Sequence, residues 1–229
     1  MNDGDARDHE SRIRTAWRHN AAAWTKAVRT GAIASRVRVT DRAVVDAVTS
    51  GAPSTVLDVG CGEGWLVREL AQVGIAARGI DADPALVKAA RQAGGRFDVV
   101  DYHDLDTITD NFDAVVCNFS LLGETSTAAV FATVPALLNP AGRFIVQTLH
   151  PVAACGDAPY ADGWREGSWQ GCGDGFGESA PWYFRTVETW HALFAASGLA
   201  IVESREPADP DSGDPPSMLF IARRMPKPL

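Results

Sequence analysis

Two groups of residues in this chain have types and spacing suited to chemistry. The first is the turn Asp58-Val59-Gly60-Cys61-Gly62-Glu63-Gly64, with Gly79-Ile80-Asp81 following it. Three glycines let a backbone turn sharply and approach a ligand without Cβ clashes, and a helix starting just after them offers free N–H groups. An acid about twenty residues beyond such a turn can accept both hydroxyls of a ribose. Asp81 is equally placed to cap the helix that Pro84 opens. Glycine turn plus acid is shared with NAD enzymes. Here, however, the spacing is GxGxG, and Asp58 stands directly before the glycines. An acid at that mouth repels a pyrophosphate and suits a ligand bearing an ammonium and a sulfonium.

The second group follows the apolar run 143–149. His150 reaches the end of that run, and an imidazole is the side chain best suited to act as a base near neutral pH. A histidine serving only as a hydrogen-bonded scaffold fits the same position. His103 is a weaker candidate base. Residues 151–183 then form a glycine-rich stretch carrying Trp164, Trp169 and Trp182, with Tyr160 and Phe176. A loop that long in a compact domain is usually a functional lid. Its indoles could stack on a planar acceptor or hold a cation, or could pack the lid onto the body of the protein. Arg36 or Arg38, upstream of the glycine turn, could pair with a ligand carboxylate or remain a solvated helix charge.

The elements that must position these residues follow from periodicity. Residues 1–8 read as frayed. Ile13, Trp17, Trp24 and Val28 mark an amphipathic helix, and Val37, Val44, Val45 and Val48 a second over 36–50. Strands are expected at 54–58, 75–81, 97–100, 112–117 and 143–149. Helices are expected at 65–73, 84–93, 128–138 (closed by Asn139-Pro140) and 187–197. This alternation implies a parallel sheet with helices on both faces. The last two strands, 199–204 and 217–222, are joined only by a proline-rich loop and should be antiparallel neighbours.

With these elements in place, Val56-Leu57-Asp58-Val59-Gly60-Cys61-Gly62-Glu63-Gly64 resembles the first motif of class I S-adenosylmethionine (SAM)-dependent methyltransferases. Gly79-Ile80-Asp81 is similar to the second. Phe112 to Asn118 resembles the fourth-strand motif, and Asn139-Pro140-Ala141-Gly142-Arg143 the turn before strand five. The subgroup it most resembles is the small-molecule, ubiquinone-biosynthesis-like enzymes, and the resemblance covers residues 54–224. It implies an α/β, Rossmann-like, seven-stranded, mostly parallel sheet ending in an antiparallel hairpin. Residues 1–53 would form a helical cap, and 54–229 the methyltransferase domain, with an active-site insert at 151–183. The implied cofactor is SAM, held by Arg36, Asp58, Gly60, Cys61, Gly62, Gly64, Asp81, Ala82, Asp101, Tyr102, Asn118 and Phe119. Asp101 and Tyr102 would lie at the adenine, although Tyr102 also reads as core. The implied chemistry is transfer of a methyl group to oxygen or nitrogen of a small molecule, with His150 as base and Trp164, Trp169 and Trp182 at the acceptor. A SAM-binding scaffold without catalysis, or an NAD-type oxidoreductase, are the rival readings.

Several partners are disfavoured. The 229 residues carry a formal charge of -8 and no long basic run, whereas phosphate backbones are bound through Lys and Arg. The run Asn118-Phe119-Ser120-Leu121 lacks the paired prolines of nucleobase amino methyltransferases. Protein-arginine enzymes use two glutamates in the following loop, where this chain has only Glu124. Cys61, Cys117, Cys155 and Cys172 are scattered. With His150 they fit no common zinc spacing, so no metal is expected. No apolar stretch approaches membrane-spanning length, nor does the N-terminus resemble a signal peptide. The expectation is a cytoplasmic monomer or homodimer, with no nucleic acid or membrane partner.

Overall fold

The computed structural model describes residues 3–226, with side chains from residue 7 onward. Seven strands form one sheet: β1 (Thr55–Val59), β2 (Ala76–Asp81), β3 (Arg96–Val99), β4 (Phe112–Asn118), β5 (Leu138–Leu149), β8 (Leu199–Arg205) and β9 (Ser217–Arg224). Their order is β3-β2-β1-β4-β5-β9-β8. The first five are parallel, β9 runs antiparallel to β5, and β8 antiparallel to β9. The seven-stranded sheet and its terminal antiparallel pair are those expected from sequence.

Because side chains alternate across a strand, neighbouring residues feed opposite cores. Leu57, Val115, Phe144 and Val146 pack with Phe131 of α5 (Thr125–Leu137) and Phe194 of α7 (Val187–Ala196). Val56, Val116 and Ile145 face the other side, against Val44 and Val48 of α2 (Asp41–Thr49) and Leu66 and Leu70 of α3 (Trp65–Gln72). Burial on both faces explains why the strands read as near-continuous apolar runs. It also joins α2, which sequence assigned to an N-terminal cap, to the core of the sheet.

The structure departs from expectation in four places. Residues 3–8, read as frayed, open a single long helix, α1 (Asp3–Arg29); residues 1 and 2, and residues 227–229 at the other end, lie outside the described residues. The second helix begins with a π turn, Arg36–Thr40. Helix α5 starts three residues early and runs directly into β5, which starts at Leu138 rather than 143. Pro135 sits in its last turn, where little helix remains to break. The strand begins early because Asn139 Nδ2 donates to Asp113 Oδ1 at 2.7 Å, while Asp113 Oδ2 accepts the N–H groups of Ser54 and Thr55. These bonds, led by that of Asn139, hold the Asp113 carboxyl below its usual range. Finally, 151–183 is not structureless: it contains α6 (Pro151–Cys155) and β6 (Gly163–Arg165), and β6 pairs antiparallel with β7 (Trp182–Phe184).

Candidate active site

The carboxyl ends of β1, β2 and β4 meet at the middle of the sheet, where ligands of open α/β sheets bind. A cavity lies there. Its floor is built by Gly60, Gly62, Asp81, Ala82, Asp101, Tyr102, Asn118, Phe119 and Ser120, and its roof by α1. The glycine turn is fastened to β2, since the N–H groups of Gly60 and Cys61 both donate to Ile80 O at 2.8 Å. Gly62 N–H donates to Asp81 Oδ2 at 2.9 Å, and Asp83 N–H to Asp81 Oδ1 at 2.8 Å. The cap of α4 (Pro84–Gln92) is Asp83, not Asp81, and accepts from Ala85 and Leu86. Asp81 is therefore free of helix capping and lies in the cavity wall.

The glycines do different work. At Gly60 φ is +77°, and an added Cβ would collide with the Tyr102 hydroxyl and Ser120. That hydroxyl donates to Ser120 O at 3.0 Å, and Ser120 Oγ donates to Val59 O at 2.7 Å. Tyr102 is thus both packed and cavity-lining, and burial lifts its phenol well above the ordinary range. Burial likewise raises the Asp81 carboxyl to about 6. Beneath it, burial and then the charge of Asp81 raise Asp58 to about 7. Two buried polar atoms near the turn have no hydrogen-bond partner, Asn118 Oδ1 and Arg36 Nη2. Phe119 adds backbone strain, with φ at +52°, a conformation that bulky residues rarely adopt.

Helix α1 is fixed across this cleft at both ends. Near its start, Glu10 Oε1 accepts from the N–H groups of Thr125 and Ser126, at the first turn of α5. At its end, Arg29 Nε meets Glu63 Oε2 at 2.7 Å and its Nη2 donates to Ala89 O in α4. The fully buried Glu63 carboxylate is shared with Arg68 of α3. Replacing Glu63 by Gln is expected to cost about 2–3 kcal/mol. That is below the ~3–5 of a fully buried pair, because Arg29 is partly in water. A fall in melting temperature measured on the Gln variant checks it; an unchanged melting temperature would show that the clasp contributes nothing.

Comparison with known proteins agrees with this geometry. Residues 56–142 match the model of a methyltransferase domain family. A ubiquinone biosynthesis O-methyltransferase from Xanthomonas oryzae pv. oryzae is 38% identical over 110 residues, 45% of this chain and 46% of that protein. The matched region thus spans about half the length of such curated relatives. An S-adenosylmethionine-dependent methyltransferase structure from Mesorhizobium loti superposes with a TM-score of 0.61 at 25% identity, covering 78% of this chain and 96% of the other. The fold is also shared with the 1,6-didemethyltoxoflavin-N1-methyltransferase of Burkholderia thailandensis, at a TM-score of 0.66, 19% identity and coverages of 96% and 91%. Residues 56–142 are thus similar to a methyltransferase domain, and the sheet has the fold of SAM-dependent methyltransferases.

The motif residues divide into two sets. Gly60, Gly62, Asp81, Ala82, Asp101, Tyr102, Asn118 and Phe119 line the cavity. Arg36, Asp58, Cys61 and Gly64 do not. Cys61 packs with Val67, Val87 and Phe97. Gly64 has φ +82°, and an added Cβ would strike Phe97, so it serves the approach of α3 to β3. Arg36 donates to Asp41 Oδ1 and lies against the rings of Trp65 and Trp24. Arg38 pairs with Asp209 and Asp211 instead of reaching the site.

The expected catalytic and acceptor residues are placed differently. His150 is 8% exposed and does not line the cavity. Its Nδ1 accepts from Ala153 N–H as the cap of α6, and its Nε2 lies 3.3 Å from Glu206 Oε2. His103 is half exposed, with Nδ1 3.5 Å from Asp101 Oδ1. Trp164, Trp169 and Trp182 also lie outside the cavity wall. Trp164 stacks on His9 at 4.4 Å, and Trp169 meets Trp17 and Trp24. Asn20 ties the same segment down, since its Oδ1 accepts from Gly177 N–H at 2.7 Å and its Nδ2 donates to Glu178 O. The aromatic insert therefore covers α1, and α1 covers the cleft. Trp182 packs edge-on against Phe184, its neighbour in β7.

The sequence suggested an N-terminal helix bearing Trp17 and Trp24 as a closing wall, but did not single out the other residues of the roof. Glu10, Ile13, Arg14, Trp17, Arg18 and Trp24 line the cavity from α1. Their i, i+3, i+4 spacing was the available signal. Among the described residues no group of three His, Cys, Asp or Glu side chains is placed to hold a metal, and no helix is long and apolar enough to cross a membrane.

Proposed function

We propose that this chain transfers the methyl group of SAM to an oxygen or nitrogen of a small-molecule acceptor held under α1. The observation that carries this reading is the cavity at the switch point of the sheet, where Asp81 and Asn118 line a space bounded by a tight glycine turn. SAM bound there supplies a methyl group already activated on a sulfonium. Asp81 accepts hydrogen bonds from the ribose hydroxyls, and Leu86 and Ala82 give an apolar surface to the adenine. Asn118, at the cavity wall, would accept from the ammonium of the methionine portion. Asn118 carries a buried oxygen whose missing partner costs free energy.

The remaining chemistry is alignment and exclusion of water. Ile13, Trp17 and Trp24 give the roof its apolar face. None of the groups lining the cavity is a histidine, and its carboxylates are each bonded to backbone N–H groups. Proton removal is accordingly not assigned to His150. Cytoplasmic location and a monomeric or homodimeric state remain part of the proposal.

A pH dependence follows from the two buried acids. Asp81 and Asp58 titrate near 6 and near 7 instead of the ordinary 3.8. The folded, ligand-free protein holds protons that the unfolded chain releases, so its stability falls as pH rises from about 4 to 7. A cationic, hydroxyl-bearing ligand favours the ionised acids. SAM affinity should thus rise between about pH 5.5 and 7.5, with protons released on binding. Calorimetry in buffers of different ionisation enthalpy measures both; a flat profile with no proton release would contradict the assignment. For the transfer itself, methyl-labelled SAM is incubated with the protein and a cell extract. Label is expected in the small-molecule fraction, and label confined to macromolecules would overturn the acceptor class.

A further inference from the structure

Six charged side chains line the cavity, four acidic and two basic. All four acids are engaged. Glu10 accepts from the first turn of α5, Asp81 from Gly62 and Asp83, Asp83 from Ala85 and Leu86, and Asp101 from His103 N–H. The two bases, Arg14 and Arg18, make no hydrogen bond or ion pair among the described residues. They stand four residues apart, so their side chains lie on one helix face about 6 Å apart along the axis. Like charges at that spacing disfavour a helix by a few tenths of a kcal/mol. The natural relief for Arg14 is Glu10, an acid four residues toward the N-terminus and the favoured orientation for such a pair. The structure turns Glu10 away, onto α5, and leaves Arg14 and Arg18, exposed residues at the rim of the cavity, uncompensated.

Their position along α1 separates them from the glycine turn. Trp24 covers that turn, its Nε1 3.2 Å from where a Cβ of Gly62 would stand. At about 1.5 Å per residue, Arg18 lies ~9 Å and Arg14 ~15 Å from Trp24 along the helix, toward the end fastened at α5. Beside them Ile13 and Trp17 give the wall an apolar surface suited to a flat body. Arginine forks bind carboxylate and phosphate oxygens in a bidentate way.

We propose that Arg14 and Arg18 are the specificity residues of the acceptor subsite, and that the methyl acceptor is a flat, apolar small molecule bearing an anionic group. This rests on the methyltransferase reading above, which places the cofactor at the glycine turn and the acceptor beside it.

The test uses the full chain saturated with S-adenosylhomocysteine (SAH) and ligand-observed NMR. Benzoate, naphthoate and phenyl phosphate are titrated against benzamide and naphthamide. The anions are expected to bind at least ~10-fold more tightly than the amides, and the carboxylate and phosphate arms rank the two anionic groups. The double variant Arg14→Gln/Arg18→Gln should lose this preference while keeping its SAH affinity, and Arg14→Lys/Arg18→Lys should retain part of it. Equal binding of anions and amides, or a preference surviving in the Gln variant, overturns the proposal. So does loss of SAH affinity in that variant, which would put the pair on the cofactor's own carboxylate. A wild-type chain that binds no SAH defeats the underlying reading as well; one that binds SAH without anion preference defeats only the subsite.

Discussion

Replacing Asp81 by Asn is expected to weaken SAH binding by ~100-fold while leaving a folded protein. The carboxylate lies in the cavity wall at the end of β2, with both oxygens already oriented by Gly62 and Asp83 N–H groups. A ribose adds two hydroxyl donors, and hydrogen bonds to a charged group contribute about 1.5–3 kcal/mol each. Asparagine keeps one acceptor oxygen, so one backbone donor stays satisfied and part of the ribose contact is lost. It also removes a buried negative charge, which relieves the repulsion that raises Asp58. Stability near neutral pH should accordingly rise or hold while affinity falls. Calorimetric titration with SAH, beside thermal unfolding of the free protein, separates these effects. Unchanged affinity would show that Asp81 belongs to the turn and not to the ligand.

The second large effect distinguishes two glycines of one motif. Gly60→Ala introduces a Cβ into the Tyr102 hydroxyl and Ser120 at a positive φ. Left-handed backbone costs a non-glycine residue roughly 1–2 kcal/mol, and the collision displaces the two side chains that shape the cavity floor. Gly64→Ala strikes Phe97 and Ala90 instead, in the packing of α3 and α4 against β3. Gly60→Ala should abolish SAH binding at a moderate loss of melting temperature. Gly64→Ala should lower melting temperature more, and retain SAH binding where it still folds. The reverse pattern in the same two measurements would mean that the cavity at Gly60 is not where the cofactor sits.

The sheet was legible because its strands are buried on both faces and so read as short apolar runs between helical periods. The glycine turn was legible because positive φ and close approach demand that residue type at Gly60 and Gly64. Asp81 was found for a related reason, as the acid that ends β2 beside the turn. The roof was legible only in part, as an N-terminal helix bearing Trp17 and Trp24 that could close the site. Ile13, Trp17 and Trp24 announced an amphipathic helix, but nothing local says whether such a helix covers a sheet face or a cleft. That is settled by distant contacts, Glu10 with α5 and Arg29 with Glu63. The same holds for Trp164 and Trp169, whose partners His9 and Trp17 lie about 150 residues away in sequence. His150 misled for a physical reason. It does follow β5 directly, but Pro151 starts a helix there, and the imidazole is drawn into capping it.

The most direct measurement is a calorimetric titration of the full chain with SAH, with NAD as the control ligand. One SAH per chain is expected, with tighter binding at pH 7.5 than at 5.5, and no heat from NAD. Absence of SAH binding at either pH, or binding of NAD in its place, would contradict the assignment of this cavity to a methyl donor.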